Sequence, residues 1–277
     1  MKTLMMIGAS AAALALPAVT AQAQDAPRDW SGAYVGGSFD YSVNDHDQDE
    51  TLTFDADLDG EYGDRVPTAS GGNAFAPGYC VNAGNGPTPA DGCDKDGEGA
   101  GFGVRGGYDW QFGNWVVGAV GEASRVDVED SVTGFSTTPT LYTMTRTLDW
   151  TAAARLRAGY AMGDTLPYVT GGAAYGKISN SFFTGNGANT FTVQEDDEDA
   201  SGWQLGGGVE HRVTDNLSLG AEYLYTSLDA GDHVIRAGGP APADNPFLIT
   251  NPDGTDIGRT ADEFNTHTFR LTAAYRF

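Results

Sequence analysis

Residues 264–277 read FNTHTFRLTAAYRF, from Phe264 to Phe277, and this stretch decides the fold. Taken every second residue, Phe269, Leu271, Ala273, Tyr275 and Phe277 share one face. Thr266, Thr268, Arg270, Thr272, Ala274 and Arg276 share the other. A period of two defines a strand with one greasy and one polar side. In a soluble sandwich the greasy side would turn to a core. Here the polar side carries two arginines and the last residue is aromatic. A membrane barrel asks for this combination, apolar residues towards lipid and polar ones towards a lumen.

The rest of the chain has to agree, and its start does. Lys2, the apolar run Leu4 to Val19 and the small-residue site Ala21-Gln22-Ala23 have the form of a secretory signal, with cleavage expected after Ala23. The expected mature domain is therefore 24–277. Beyond Val19 nothing approaches the ~18 consecutive apolar residues of a spanning helix. Insertion in lipid must then be as a closed barrel, because only helices and barrels satisfy the backbone there. The 39 glycines, 11% aromatics and only 19% charged residues suit one barrel with long loops better than two domains.

Eight alternating segments follow. The first runs from about Ser31 to Val43, with Ala33, Val35, Phe39 and Tyr41 on its apolar face and Asp40 opposite. The second, about Ala100 to Phe112, sets Phe102, Val104, Tyr108 and Trp110 against Arg105 and Asp109. The third, about Trp115 to Val126, places Glu122 inside. The fourth carries Leu148, Trp150, Ala152, Leu156 and Tyr160 outside, with Asp149, Arg155 and Arg157 inside. The fifth, about Leu166 to Ser179, is too rich in Gly and Ala for its faces to be assigned. The sixth opposes Trp203, Leu205 and Val209 to Gln204, Glu210 and Arg212. The seventh opposes Leu217, Leu219, Tyr223 and Tyr225 to Ser218, Glu222 and Thr226. The eighth is the C-terminal stretch. Tight turns at Gly113-Asn114, Met162–Thr165 and Thr214–Asn216 alternate with long loops over Asn44–Gly99, Asp127–Pro139, Asn180–Ala200 and Ala230–Glu263. An even strand number with short turns at one end puts both termini in the periplasm. Trp115, Tyr160, Tyr168 and Phe277 lie beside the short turns, where an interfacial girdle belongs.

The fold class is thus an all-β, eight-stranded antiparallel transmembrane up-and-down barrel with long extracellular loops. The formal charge of −23 becomes informative once faces are assigned. Lumen acids Asp40, Asp109, Glu122, Asp149, Glu210 and Glu222 balance lumen bases Arg105, Arg155, Arg157, Arg212, Arg270 and Arg276. The negative excess therefore belongs to the loops, above all the first. A small barrel has an interior narrow enough for side chains to fill, and buried charges persist when paired. These residues are expected to form a salt-bridge plug rather than line a pore.

The segments WSGAYVGG from Trp30, LPYVTGGAAYG from Leu166, GWQLGGGVE from Gly202, AEYLY from Ala221 and the terminal YRF resemble the small outer-membrane beta-barrel (porin-like) family. That family is similar in architecture to the membrane domain of outer-membrane protein A. The resemblance covers nearly all strands and none of the loops. It implies that Phe269, Leu271, Tyr275 and Phe277 form the signal recognised by the barrel-assembly machinery. A monomer in outer-membrane lipid and lipopolysaccharide is expected, since trimeric porins are normally built from many more strands. With Phe277 as the last residue, the extra peptidoglycan-binding domain of some wider relatives is not expected. The long first loop is unusual for the family.

Cys80 and Cys93 are the only cysteines and lie in that loop. Export to an oxidising compartment predicts a disulfide between them, and closing such a loop stabilises it by roughly 3 kcal/mol. Asp55, Asp57 and Asp59, followed by Gly60, match half a calcium loop, but Val66 stands where the bidentate acid belongs. Leu52, Phe54, Ala56 and Leu58 alternate with those acids, so a strand above the membrane is the plainer reading. No dedicated cofactor is expected, only Ca2+ or Mg2+ loosely held by the acidic loops, and the Glu195–Asp199 run reads as a solvated loop tip. GFGVRG from Gly101 spells a dinucleotide fingerprint, but no helix follows it. Its glycines instead make room in the lumen. His211 and His267 face outwards while His46 and His233 sit in acidic loops, and no triad spacing emerges. The expected function is non-enzymatic: envelope integrity and a surface presented outside. The alternatives are a small cation-preferring channel and an adhesin or ligand-binding surface made by the loops. A nucleic-acid partner is not expected, nor is a soluble barrel with the apolar faces inward.

Overall fold

The computed structural model describes residues 29–45, 49–95 and 97–277. The leader expected over 1–23 and His46 lie outside the described residues. In chain order the strands are β1 (Gly32–Asn44), β2 (Leu52–Asp55), β3 (Gly78–Cys80), β4 (Glu98–Phe112), β5 (Trp115–Ser136), β6 (Thr140–Tyr160) and β7 (Thr165–Thr184). They continue with β8 (Thr190–Asp196), β9 (Asp199–Arg212), β10 (Leu217–Asp229), β11 (His233–Gly238), β12 (Thr255–Arg259) and β13 (Glu263–Arg276). Eight of them, β1, β4, β5, β6, β7, β9, β10 and β13, pair antiparallel with their ring neighbours. The C-terminal strand closes the ring on β1, from Tyr34 opposite Arg276 to Asn44 opposite Thr266. This is an eight-stranded up-and-down barrel with no free edge, the condition for a strand structure in lipid.

The wall follows the period of two. Val35, Phe39, Phe102, Val104, Leu156, Val169, Leu205, Phe269 and Leu271 all point outwards and stay exposed. Two aromatic girdles bound this belt. The lower one sets Trp115 edge-on against Tyr160 and Tyr275 edge-on against Phe277, beside the turns at Gly113 and Asn216. The upper one pairs Trp150 with Tyr175 and Trp203 with Tyr225. The ten steps from Trp150 to Tyr160, at about 3.3 Å each and tilted about 40°, rise about 25 Å. That height matches the apolar band of an outer-membrane barrel.

At the upper girdle the alternation breaks. Pairing of β5 with β6 jumps from Arg125–Trp150 to Val128–Leu148, and pairing of β6 with β7 skips Asp149. A bulge leaves one residue unpaired and reverses the faces beyond it. Leu148, expected on the lipid side, is therefore buried inside the barrel, while Asp149, expected inside, is half-buried and accepts a hydrogen bond from Ser179 at 2.5 Å. Beyond the bulges β5 and β6 continue as a single hairpin with only residues 137–139 in its turn. The loop expected over Asp127–Pro139 is thus mostly strand. Val132, Thr133 and Phe135 favour it, but both of its faces are buried here, so no alternation marks it.

The other external connections also fold. Parts of three of them form a second sheet in the order β2, β12, β11, β8. It packs on the β5–β6 hairpin around Phe54, Phe75, Tyr142, Met144, Phe247 and Ile257, all nearly buried. Leu52 and Phe54 do form the strand foreseen above the membrane, but it stops at Asp55, because Leu58 takes a positive φ of 65°. The protein is a barrel topped by a folded head.

Candidate functional site

The feature with chemical content is the barrel interior. Arg270 from β13 grips the Asp40 carboxylate of its β1 neighbour with two bonds of 2.7 and 3.0 Å, and reaches Glu122 at 2.7 Å. Arg155 spans Glu122 (2.5 Å) and Glu222 (2.9 Å). Glu222 also takes Arg105 at 3.4 Å and the Tyr168 hydroxyl at 2.6 Å. Nearer the periplasm, Arg157 binds Asp109 through Nε at 2.7 Å and Glu210 at 2.9 Å. Arg276 binds the same two acids at 2.8 and 2.9 Å. The arginines come from β4, β6 and β13 and the acids from β1, β4, β5, β9 and β10, so the lattice ties the walls together. Small residues make space for it. A Cβ on Gly118 would collide with the Asp109 carboxylate, and one on Gly107 would lie 2.5 Å from the Tyr34 hydroxyl.

Of the expected lumen residues, Asp40, Arg105, Asp109, Glu122, Arg155, Arg157, Glu210, Glu222, Arg270 and Arg276 meet in this lattice. Asp149 does not, for the bulge turns it away. Arg212 points inwards but lies at the periplasmic mouth, over the Trp30 ring at 4.6 Å and donating to the Asp29 carbonyl at 2.5 Å. Tyr168, expected in the lower girdle, stands inside on Glu222. Its partner Leu166 is fully buried beside it in alternation, which fixes the faces of β7. Trp30 and Tyr34 carry Arg276 at 4.8 Å each. Their role was not legible, because an aromatic at an inward position has no pattern of its own.

Above the lattice the lumen turns apolar. Val126 and Val128, Leu148, Ile178, Leu228 and Phe264, from β5, β6, β7, β10 and β13, form one buried cluster across the barrel's upper end. Gly176 lets them meet; a Cβ there would lie 2.8 Å from Leu228 and 3.0 Å from Leu148. Over this septum sits a second ionic group. Arg259 grips Glu50 at 2.6 and 2.9 Å and Asp130 at 2.5 Å, and Arg146 donates to the carbonyls of Ala261 (2.7 Å) and Gly231 (3.1 Å). Burial pushes the Glu50 carboxyl above its usual range, with Arg259 opposing. Buried His233 meets Asp196 at 3.1 Å, and burial lowers its pKa from 6.5 against that partner, with Arg146 and Arg259 adding to the fall. Beside this group opens an acidic cleft of about 620 Å³, lined by Asp45, Asp229, Asp232, Asp262 and Glu263 among others.

The outer loops hold the remaining expected sites. Cys80 and Cys93 form a disulfide. Asp55 and Asp57 come together with Asp64, their oxygens within 4.8 Å, whereas Asp59 falls outside the group. Leu58 turns the chain there, and Asp55 already accepts from the amides of Leu58 (2.6 Å) and Gly60 (2.8 Å). On the outer wall His267 joins the Tyr223 hydroxyl (2.6 Å) to Asp45 (3.2 Å) and lies against Tyr225, as an interfacial anchor does.

A closed ring, an apolar belt between two girdles and a polar interior define an outer-membrane β-barrel. The chain belongs to the outer membrane protein beta-barrel domain family, whose model matches residues 11–277. The protein therefore resides in the outer membrane. It is 33% identical over 177 residues to the 31 kDa outer-membrane immunogenic protein of Brucella melitensis biotype 1, covering 63% of this chain and 65% of that one. It is 29% identical over 151 residues to the 22 kDa outer membrane protein of Rhizobium leguminosarum bv. viciae, covering 53% of this chain and 61% of that one. The match thus spans just under two thirds of these relatives. Among solved structures, Neisserial surface protein A aligns at 11% identity and a TM-score of 0.36 over 89% of this chain and 98% of that one, a likeness that adds nothing to the assignment.

Proposed function

We propose that this protein is a closed, non-enzymatic barrel that contributes to envelope integrity and presents a rigid acidic head at the cell surface. The observation that carries the reading is the filling of the barrel from end to end, with the ionic lattice below and the apolar septum above it. Water and ions gain no continuous path through such layers, since each unpaired ion would face a low-dielectric wall. The protein works as a monomer in outer-membrane lipid and lipopolysaccharide, needs no cofactor and acts on no nucleic acid. The assembly machinery reads the exposed Phe269, Leu271, Tyr275 and Phe277 of β13. The name "immunogenic" borne by the Brucella relative fits a head displayed outside. The acidic cleft favours a second reading, a cation-preferring channel, because its carboxylates would concentrate cations at the mouth. Planar-bilayer recording of the refolded chain separates the two. The closed barrel predicts silence, whereas steady cation-selective steps that change in Glu122→Gln would overturn it.

A further inference from the structure

At the far tip of the head all four external connections meet around one cavity of about 300 Å³. The first gives Ala74 and Phe75, the second residues 136–140, the third residues 185–188 and the fourth residues 245–247. Among the described residues no acidic or basic side chain lines it, on a chain of formal charge −23. The floor is apolar and fixed. Phe75, Tyr142 and Phe247 are locked together at ring separations of 5.2, 5.5 and 6.0 Å, and the core holds them from beneath. The walls are amides. Asn186 Nδ2 donates to the Tyr142 hydroxyl and to Asn189 Oδ1, each at 2.9 Å, and Asn245 Nδ2 donates to Asn189 Oδ1 at 3.0 Å. Asn189 in turn donates to the Gly238 carbonyl at 2.9 Å, so these amides are oriented before any ligand arrives. Threonines 137, 138 and 140 supply hydroxyls at the rim.

We infer that this cavity binds one neutral sugar ring, a hexopyranose or an N-acetylhexosamine. Such a ring has a C–H face for the apolar floor and hydroxyls that both donate and accept for the rim threonines, while the amides, already bonded to one another, hold the wall in shape. A purely apolar ligand would shut the rim threonine hydroxyls off from water without pairing them, and a charged one would find no counter-ion. The volume lies at the lower end of the roughly 300–1,000 Å³ of small-molecule sites, which suits a single ring rather than a chain. The inference needs the head outside the membrane and is independent of whether the lumen is closed.

Saturation-transfer NMR on the full chain in lipid nanodiscs tests it, with methyl glucoside, methyl galactoside, methyl mannoside and N-acetylglucosamine as probes and glucuronate as the charged control. At least one neutral sugar should receive transfer and glucuronate none. Ala188→Trp and Thr138→Trp, which fill the mouth from two sides at exposed positions, should each cut the signal by about tenfold. Asp262→Asn in the acidic cleft should leave it unchanged. Heat-modifiable gel mobility shows which variants are folded, and either filled variant suffices. No transfer to any neutral sugar at millimolar concentration overturns the inference, as does an unchanged signal in a folded filled variant or equal transfer to glucuronate. Polysaccharide released from the cell's own lipopolysaccharide distinguishes the sources: displacement of the probe assigns the ring to that surface, and binding without displacement assigns it to a foreign glycan.

Discussion

Glu222 is the carboxylate on which the middle of the lattice depends. Arg105, Arg155 and the Tyr168 hydroxyl reach it at 3.4, 2.9 and 2.6 Å, and its side chain has no solvent exposure. Glu222→Leu removes one negative charge from a balanced set. Arg155 keeps Glu122 at 2.5 Å, and Arg270 keeps Asp40 at 2.7 Å. Arg105 loses the carboxylate it binds and stays enclosed, with side-chain exposure of 4%. Stranding one partner of a buried pair costs about 3–5 kcal/mol, whereas replacing both by apolar residues is close to neutral. Glu222→Leu should therefore destabilise the barrel by about 3–5 kcal/mol, and Arg105→Leu with Glu222→Leu should recover all but about 1 kcal/mol. Urea unfolding in lipid vesicles, followed by tryptophan fluorescence and heat-modifiable mobility, measures both. A single variant within about 1 kcal/mol of the parent, or a double variant as weak as the single, would refute the account of the lumen as a mutually compensated charge lattice.

Three other outcomes follow from the layers above. Phe264→Ala hollows the septum and should cost about 3–5 kcal/mol, read as a lower urea midpoint, while the lattice beneath keeps bilayer recordings silent. Cys80→Ser should lower the stability of the first loop by roughly 3 kcal/mol without unfolding the barrel, seen as faster proteolysis confined to residues around 80–93. His233 has its folded pKa below 6.5, so the unfolded head binds the extra proton first. The stabilisation present above 6.5 should be lost progressively as pH falls below 6.5 and through that lower folded value. Protease resistance of the head should drop as pH is taken below about 6.5, and His233→Gln should flatten the change.

Much of the wall was legible because period two survives wherever one face meets lipid and the other a polar lumen. Phe102, Val104, Trp110 and Leu205 stand outside, and Arg105, Glu122 and Glu222 inside, as their alternation indicates. The bulge at Asp149 leaves no local mark, and a single unpaired residue turned Asp149 out and Leu148 in. β7 was opaque because its Gly and Ala carry no contrast between faces; Leu166, Tyr168 and Val169 resolve it only through their neighbours. The head was hidden for another reason. Its strands are short, β2, β11 and β12 are buried on both faces and β8 is exposed on both, and its ties are remote: Arg259 and Glu50 are 209 residues apart in the chain. The septum escaped for the same cause, since Phe264 and Leu228 sit where inward and outward apolar positions look alike.

The β5–β6 hairpin has a consequence for what approaches the cell. From the bulge at Asp149 to Thr140 the strand takes nine further steps, about 23 Å of rise at the tilt of the wall. Because the head packs along the hairpin, that length is a stiff mast continuous with the barrel rather than a tethered loop. Its tip is held at a set stand-off from the lipid, with little freedom to fold down onto the membrane or to rotate on a hinge. A partner or antibody meeting the tip therefore finds it at one height and one orientation, fixed by the same hydrogen-bonded ladder that crosses the membrane.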